Sequence, residues 1–343
     1  HPDTLSSMAN LANSYSDTGQ HAKALALREE TLDLRRAKLG HDHPDTLSSM
    51  NSLATSYYNI GQHAEALALR EKTLELRRAK LGHDHPHTLT SMNNLAISYR
   101  DTGQHDKALA LHEETLELRR AKLGHDHPDT LTSMANLATS YSDTGQHAKA
   151  LALNEETLEL RRAKLGHEHP LTLQSMHNLA LSYSNTGQHA MALALYEETL
   201  ELMRAKLGHD HLDTLSTMNN LAASYGITGQ HAKALALYEK TLELRRAKLG
   251  HDHPDTLDSM YNLASSYRDT GQHVKALALR EETLERRRTK LGFDHPDTLK
   301  SMNNLACSYR DTGQHAEALV LLFIELSVSG WSKPSLARRS FSV

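Results

Sequence analysis

HPDTLSSMANLANSYSDTGQHAKALALREETLDLRRAKLGHD, residues 1–42, is written again with few changes from His43, His85, His127, His169, His211, His253 and His295. The step from His1 to His43 fixes the period at 42 residues, and the opening HPDTL becomes HLDTL only at His211 and otherwise changes at a single position. A segment this short cannot bury an apolar face alone, so tandem copies must stack around a shared core. Function then belongs to the columns in which the copies differ.

Within the first copy, Leu5, Met8, Leu11, Ala12 and Tyr15 recur at steps of three and four, one apolar stripe of a helix over about residues 3–17. Pro2 suits a first turn and Asp3 the positive end of the helix dipole. Gly19 supplies the left-handed residue that ends this helix, and a second helix follows over about residues 22–39. Its apolar face is read as Ala24, Leu25, Leu27, Thr31, Leu32, Leu34 and Leu39, with small Ala22, Ala24 and Ala26 allowing close helix approach. Glu29 and Glu30 early, and Arg35, Arg36 and Lys38 late, fit the dipole and are expected to form a solvated outer face.

Composition narrows the function classes. Basic and acidic side chains number 38 and 42 with signs interleaved, which argues against a nucleic-acid footprint. No run of about 18 apolar residues is present to span a bilayer. The single cysteine, Cys307, cannot form an intrachain disulfide, so an intracellular, cytoplasmic setting is expected. The chain begins in mid-pattern and is expected to be an excerpt of a longer protein.

Met8, Leu11, Ala12, Tyr15, Gly19, His21, Ala24, Arg28 and Thr31 resemble the signature columns of the tetratricopeptide repeat, over about residues 1–322. The 42-residue form, with Asn-Asn-Leu-Ala in the first helix and Leu-Gly-x-x-His-Pro in the loop, is similar to the repeats of kinesin light chain and of some nucleotide-binding immune-type receptors. His21 and Arg28 stand where the family has aromatic residues. The resemblance implies that first helices line a concave surface that contacts ligand.

Four varying columns share one stripe of the first helix: those of Ser6, Ala9, Asn13 and Ser16. They carry, among others, Asn93, Ile97, His177, Leu181, Tyr261 and Lys300, which are expected to contact ligand side chains. Neutral drift on an exposed face would also produce this variation. The exposed face of the second helix is read as nearly invariant except at Arg28, Arg70, His112, Asn154, Tyr196, Tyr238, Arg280 and Leu322. Beside the second column run Asn10, Asn94, Asn136, Asn178, Asn220, Asn262 and Asn304, with Ser52 as the exception. A row of amides can bind the backbone of an extended peptide, or bond the adjacent helix. With helices about 8–10 Å apart and a rise of ~3.3 Å per extended residue, each repeat would span roughly three ligand residues. Asp17, Asp101, Asp143, Asp269 and Asp311 close the stripe and suggest a neutral or mildly basic peptide.

Six loops read His-x-His, His41 with His43 through His251 with His253, but structural metal sites need four ligands; helix capping by His43 and its equivalents is the expected role. His21 and its copies are read as an interhelix packing column. No metal or cofactor is expected. Catalysis is not expected, since every Ser, His and Asp arrangement is copied eightfold and the single-copy His177, Tyr261, Lys300, Cys307 and Trp331 form no triad. After Leu321 the pattern breaks, so the array is expected to run over residues 1–329 with a degenerate last copy and a loosely ordered tail over 330–343. Apolar residues 320–324 could cap the stack or stay exposed.

Together these readings predict an all-α, right-handed α-solenoid superhelix of eight helix-turn-helix repeats. Its expected role is a non-enzymatic scaffold holding an extended peptide or protein segment in a groove. The alternative is a spacer or a rod self-associating end to end.

Overall fold

The computed structural model describes residues 2–328, with side chains for residues 3–324. The expected tail lies outside the described residues. The chain divides into two compact units, His1–His167 and Glu168–Val343. The first holds α1 (Pro2–Asp17), α2 (His21–Leu39), α3 (Pro44–Asn59), α4 (His63–Leu81), α5 (Pro86–Asp101), α6 (His105–Leu123), α7 (Pro128–Asp143) and α8 (His147–Leu165). The second holds α9 (Pro170–Asn185), α10 (His189–Leu207), α11 (Leu212–Ile227), α12 (His231–Leu249), α13 (Pro254–Asp269), α14 (His273–Leu291), α15 (Pro296–Asp311) and α16 (His315–Val328). Among the described residues there are no strands, and no helix is long and apolar enough to cross a membrane.

The helices start and stop where their termini are satisfied. His127 caps α7 by accepting the Asp129 amide N–H at Nδ1, 3.2 Å away, and His43, His85, His169, His211, His253 and His295 do the same for their helices. That is the capping role expected of these histidines. At the other end, Gly103 (φ 75°) lets the Gln104 amide reach back to the Tyr99 carbonyl at 2.7 Å, closing α5. Gly124 after α6 sits at φ 92°, ψ 169°, a region open essentially to glycine alone.

Core clusters form between copies. In the first unit, Leu74 of α4 packs with Leu89, Met92 and Leu95 of α5, and Leu116 of α6 with Leu131, Met134 and Leu137 of α7. In the second, Leu242 of α12 packs with Leu257, Met260 and Leu263 of α13. Each such Leu or Met contributes about 2 kcal/mol by leaving water, which is why a lone repeat is insufficient. Leu11 shows the converse: it is 47% exposed where its equivalent Leu53 is 5% exposed, so the expectation that Leu11 lies inside fails in the first copy. On α16, Leu319, Val320, Leu322 and Phe323 are also exposed.

Several residues sit differently from expectation. Ala24 is buried, but Ala22 and Ala26 are exposed and bring no helices together. The His21 column opens the second helix and is largely exposed, with only His147 and His189 half-buried, and at His63 the ring meets Tyr58 of the preceding helix edge-on at 5.2 Å. The Arg35 column is not a solvated face. Arg35 is half-buried, and Arg77, Arg119, Arg161, Arg245 and Arg287 are buried. Arg77 donates to the His87 carbonyl at 2.9 Å and to Ser91 Oγ at 2.8 Å, and Arg119 likewise to the Asp129 carbonyl and Ser133 Oγ. Burial holds both guanidiniums below their usual pKa. The fifth copy replaces this arginine by Met203 and the sixth replaces the serine by Thr217, whose Oγ1 lies 3.2 Å from Met203 Sδ.

The next arginine does meet the expected surface. Arg78 pairs with Glu114 at 2.9 Å, Arg120 with Glu156 at 3.3 Å and Arg246 with Glu282 at 3.0 Å, all partly exposed. Lysine to loop-aspartate pairs accompany them, such as Lys122 with Asp84 at 2.7 Å. Tyr99 donates its hydroxyl to Glu71 at 2.7 Å, and burial, then this bond, pushes that phenol up to about 12.

Candidate functional site

The varying columns and the row of asparagines share one stripe of each first helix, and a third group, from the second helices, reaches them. Arg28, Arg70, His112, Asn154, Tyr196, Tyr238 and Arg280 are buried, not on an exposed face of the second helix; only Leu322 is exposed. The reason is angular: residue 28 lies four after buried Ala24 and three before buried Thr31, so the helix turns it inward whatever its charge. These side chains reach back between first helices. Arg70 donates to the Asn94 carbonyl at 2.9 Å and to Ser98 Oγ at 2.6 Å, with the Tyr58 ring 5.2 Å from its guanidinium. Arg280 makes the equivalent bonds to the Asn304 carbonyl and Ser308 Oγ. His112 Nδ1 lies 2.8 Å from Ser140 Oγ, and burial, then Arg100 and Arg119, lowers its pKa to about 4.

The asparagine row is half-buried apart from exposed Asn10, and at four of its members it ties successive first helices together. Asn94 Nδ2 donates to Asn51 Oδ1 at 3.1 Å, Asn136 to Asn93 at 2.7 Å, and Asn262 to Asn219 at 3.0 Å. Asn220 Nδ2 lies 3.2 Å from His177 Nε2, whose Nδ1 is 2.9 Å from Thr217 Oγ1 and whose ring meets Tyr196 edge-on at 5.6 Å. His177 is thereby held on both sides, and burial draws its pKa down to about 4. Asn178 and Asn304 are half-buried. The bond to the adjacent helix is therefore present, and it uses only one of the amide's hydrogens.

The remaining candidates differ in exposure. Leu181 and Lys300 are exposed, Ile97 is half-buried, and Asn93 is buried at its rung. Tyr261 opens onto a cavity of about 480 Å³ between α11, α12 and α13, whose walls include Tyr238, Asn262, Ile227, Arg268 and Asp269. Arg268 and Asp269 pair at 3.2 Å, and burial, with Asp269 adding, pushes the Tyr238 phenol up to about 12. Arg100 similarly faces Asp101 at 3.3 Å and Asp143 at 4.0 Å, so arginine offsets the acidic edge of the stripe. No group of three or more His, Cys, Asp or Glu suited to a metal occurs among the described residues. What the site offers is amides at a regular spacing, with a differently shaped recess in each copy.

The tetratricopeptide repeat family model matches residues 3–79, 53–121, 92–163, 143–205, 171–247, 213–289 and 255–322. Among solved structures, a candidate kinesin light chain of Podosopora anserina with nearly identical TPR-like repeats is 33% identical, covering 60% of this chain and 97% of that one, with a TM-score of 0.53. BtubC (BKLC) from P. vanneervenii is 21% identical over 70% of this chain and 97% of its own, with a TM-score of 0.58. The apo form of RapI is 12% identical over 82% and 97%, with a TM-score of 0.60. These last two share the fold. No curated protein matches the chain.

Proposed function

The chain belongs to the tetratricopeptide repeat family, in the 42-residue form resembling kinesin light chain, and from that premise we propose that it binds an extended peptide along its first helices. The family's repeats are a non-enzymatic scaffold of the kind used in protein interactions. The observation that carries the finer reading is the state of the asparagines. Asn94, Asn136 and Asn262 are each oriented by one cross-repeat bond and keep a second N–H and a carbonyl oxygen, the donor–acceptor pair that matches a peptide unit. Recesses beside them, such as the one walled by Tyr238 and Tyr261, would take side chains, with Asn10, Asn93, Ile97, Leu181 and Lys300 contributing at the other copies. His177 acts by orienting Asn220. The lone Cys307 suits a reducing, cytoplasmic setting.

Replacing Asn136, Asn178 and Asn220 together by alanine should abolish capture of peptides selected from a random library while helicity is kept. Unchanged affinity rejects the assignment. A second reading, a spacer or self-associating rod, draws on the apolar side chains left open on α1 and α16. Sedimentation at rising concentration would show progressive growth under that reading and a constant monomer otherwise.

A further inference from the structure

At one rung neither of the two facing positions carries an amide, and a small basic recess opens there. At every other copy the row carries asparagine; in the second it carries Ser52, and the residue 43 positions before it, the partner position in the other rungs, is Ala9. Neither side chain can form the amide–amide bond, and both are short. Between α1, α2 and α3 this leaves a cavity of about 180 Å³ lined by Ala9, Asn13, Arg28, Arg35, Ser48 and Ser52 among others, with no Asp or Glu in its wall. Pockets for whole small ligands run to about 300 Å³ and more, so this space suits a single chemical group.

The donors are in place. Arg28, 9% exposed, is anchored through one terminal nitrogen to the Ser52 carbonyl and Ser56 Oγ and through the other to Asn13 Oδ1, while its Nε–H is buried without a partner. Arg35 spends one terminal nitrogen on the Asp45 carbonyl at 3.0 Å and Ser49 Oγ at 2.8 Å. The acid whose charge acts on Arg28 is Asp17, outside the wall. Arg70 has an unpartnered Nε as well, but there the Asn94–Asn51 rung is intact and the Tyr58 ring covers the guanidinium. Two fixed guanidiniums and a serine hydroxyl, facing a space without a counter-ion, form a receptor for a planar or tetrahedral oxyanion.

We propose that this recess binds one oxyanion group of the ligand, a carboxylate or phosphoryl borne by a peptide side chain, and so fixes the ligand's register at the first two copies. The inference rests on the peptide reading for the source of the anion but not for the binding itself. It departs locally from the mildly basic ligand suggested by the Asp17 column.

The test titrates the intact chain with inorganic phosphate and with acetate, against chloride, while arginine Nε–H resonances are followed by NMR. Saturable shifts at Arg28 and Arg35 but not at Arg70 are expected. Response to phosphate alone identifies a phosphoryl group; response to both identifies a carboxylate. Because removing Arg28 endangers the fold, the decisive variant is Ala9→Asn with Ser52→Asn. It restores the rung, keeps both arginines and should weaken binding at least about tenfold with helicity unchanged. Absence of saturation, an equal response at Arg70, or undiminished binding in the double variant would overturn the proposal. If the anion binds and the library yields no peptide, the peptide reading fails and this site stands.

Discussion

Arg119 and Arg120 are neighbours in sequence and opposites in the fold. Arg119 is buried and bonded to a backbone carbonyl and Ser133, whereas Arg120 lies at the surface across from Glu156. A step of about 100° around the helix separates them, and that angle, rather than the shared charge, decides which one holds consecutive copies together.

The comparison is broken most forcefully at the inner arginine. Arg119→Ala should cost about 3 kcal/mol in chemical denaturation, because Ser133 Oγ and the Asp129 carbonyl lose a charged donor and a void remains. A neighbouring buried group supplies the next effect. His112 is neutral when folded, with its pKa depressed from 6.5 to about 4, so the unfolded chain binds the extra proton first. Its contribution is complete above the unfolded value and is lost as pH falls from about 6.5 towards 4, amounting to about 3 kcal/mol. His177 acts in the same direction. Denaturation midpoints measured across that window should flatten in His112→Asn, which installs the residue that the next copy carries at Asn154.

Arg119→Met with Ser133→Thr copies the pairing the chain itself uses at Met203 and Thr217, and should return stability to within about 1 kcal/mol of the parent. Failure of that rescue would show that the guanidinium does more than fill and satisfy the seam. The smallest effect belongs to the surface partner. Arg120→Ala should cost about 0.5 kcal/mol at low salt and nothing measurable at high ionic strength.

The period, the helix limits and the stripe of Leu5, Met8 and Tyr15 were legible in the sequence because backbone propensity and apolar spacing are local quantities. Arg28 and Arg35 were misread for a specific reason. Assigning charge to solvent overrode the stripe of Ala24, Arg28, Thr31 and Arg35, whose steps of four, three and four already placed all four on one side. The asparagines were recognised as a row, yet whether they bond the next helix or a ligand turned on a partner 43 residues away, which spacing within one copy does not reveal. Ser52 was visible as an exception; its coincidence with Ala9 acquires meaning only when the two first helices are laid side by side.

The offsets of the polar ties are themselves consequential: 14 residues from Arg77 to Ser91, 36 from Arg78 to Glu114, 38 from Lys122 to Asp84, and 43 from Asn136 to Asn93. None reaches beyond the adjoining copy. Excising residues 86–127 would hand Arg77 to Ser133, Arg78 to Glu156 and Asn51 to Asn136, with no donor or acceptor stranded. The number of copies can therefore change through recombination within the coding sequence without any interface being reinvented, so that copy number varies independently of the stability of each joint.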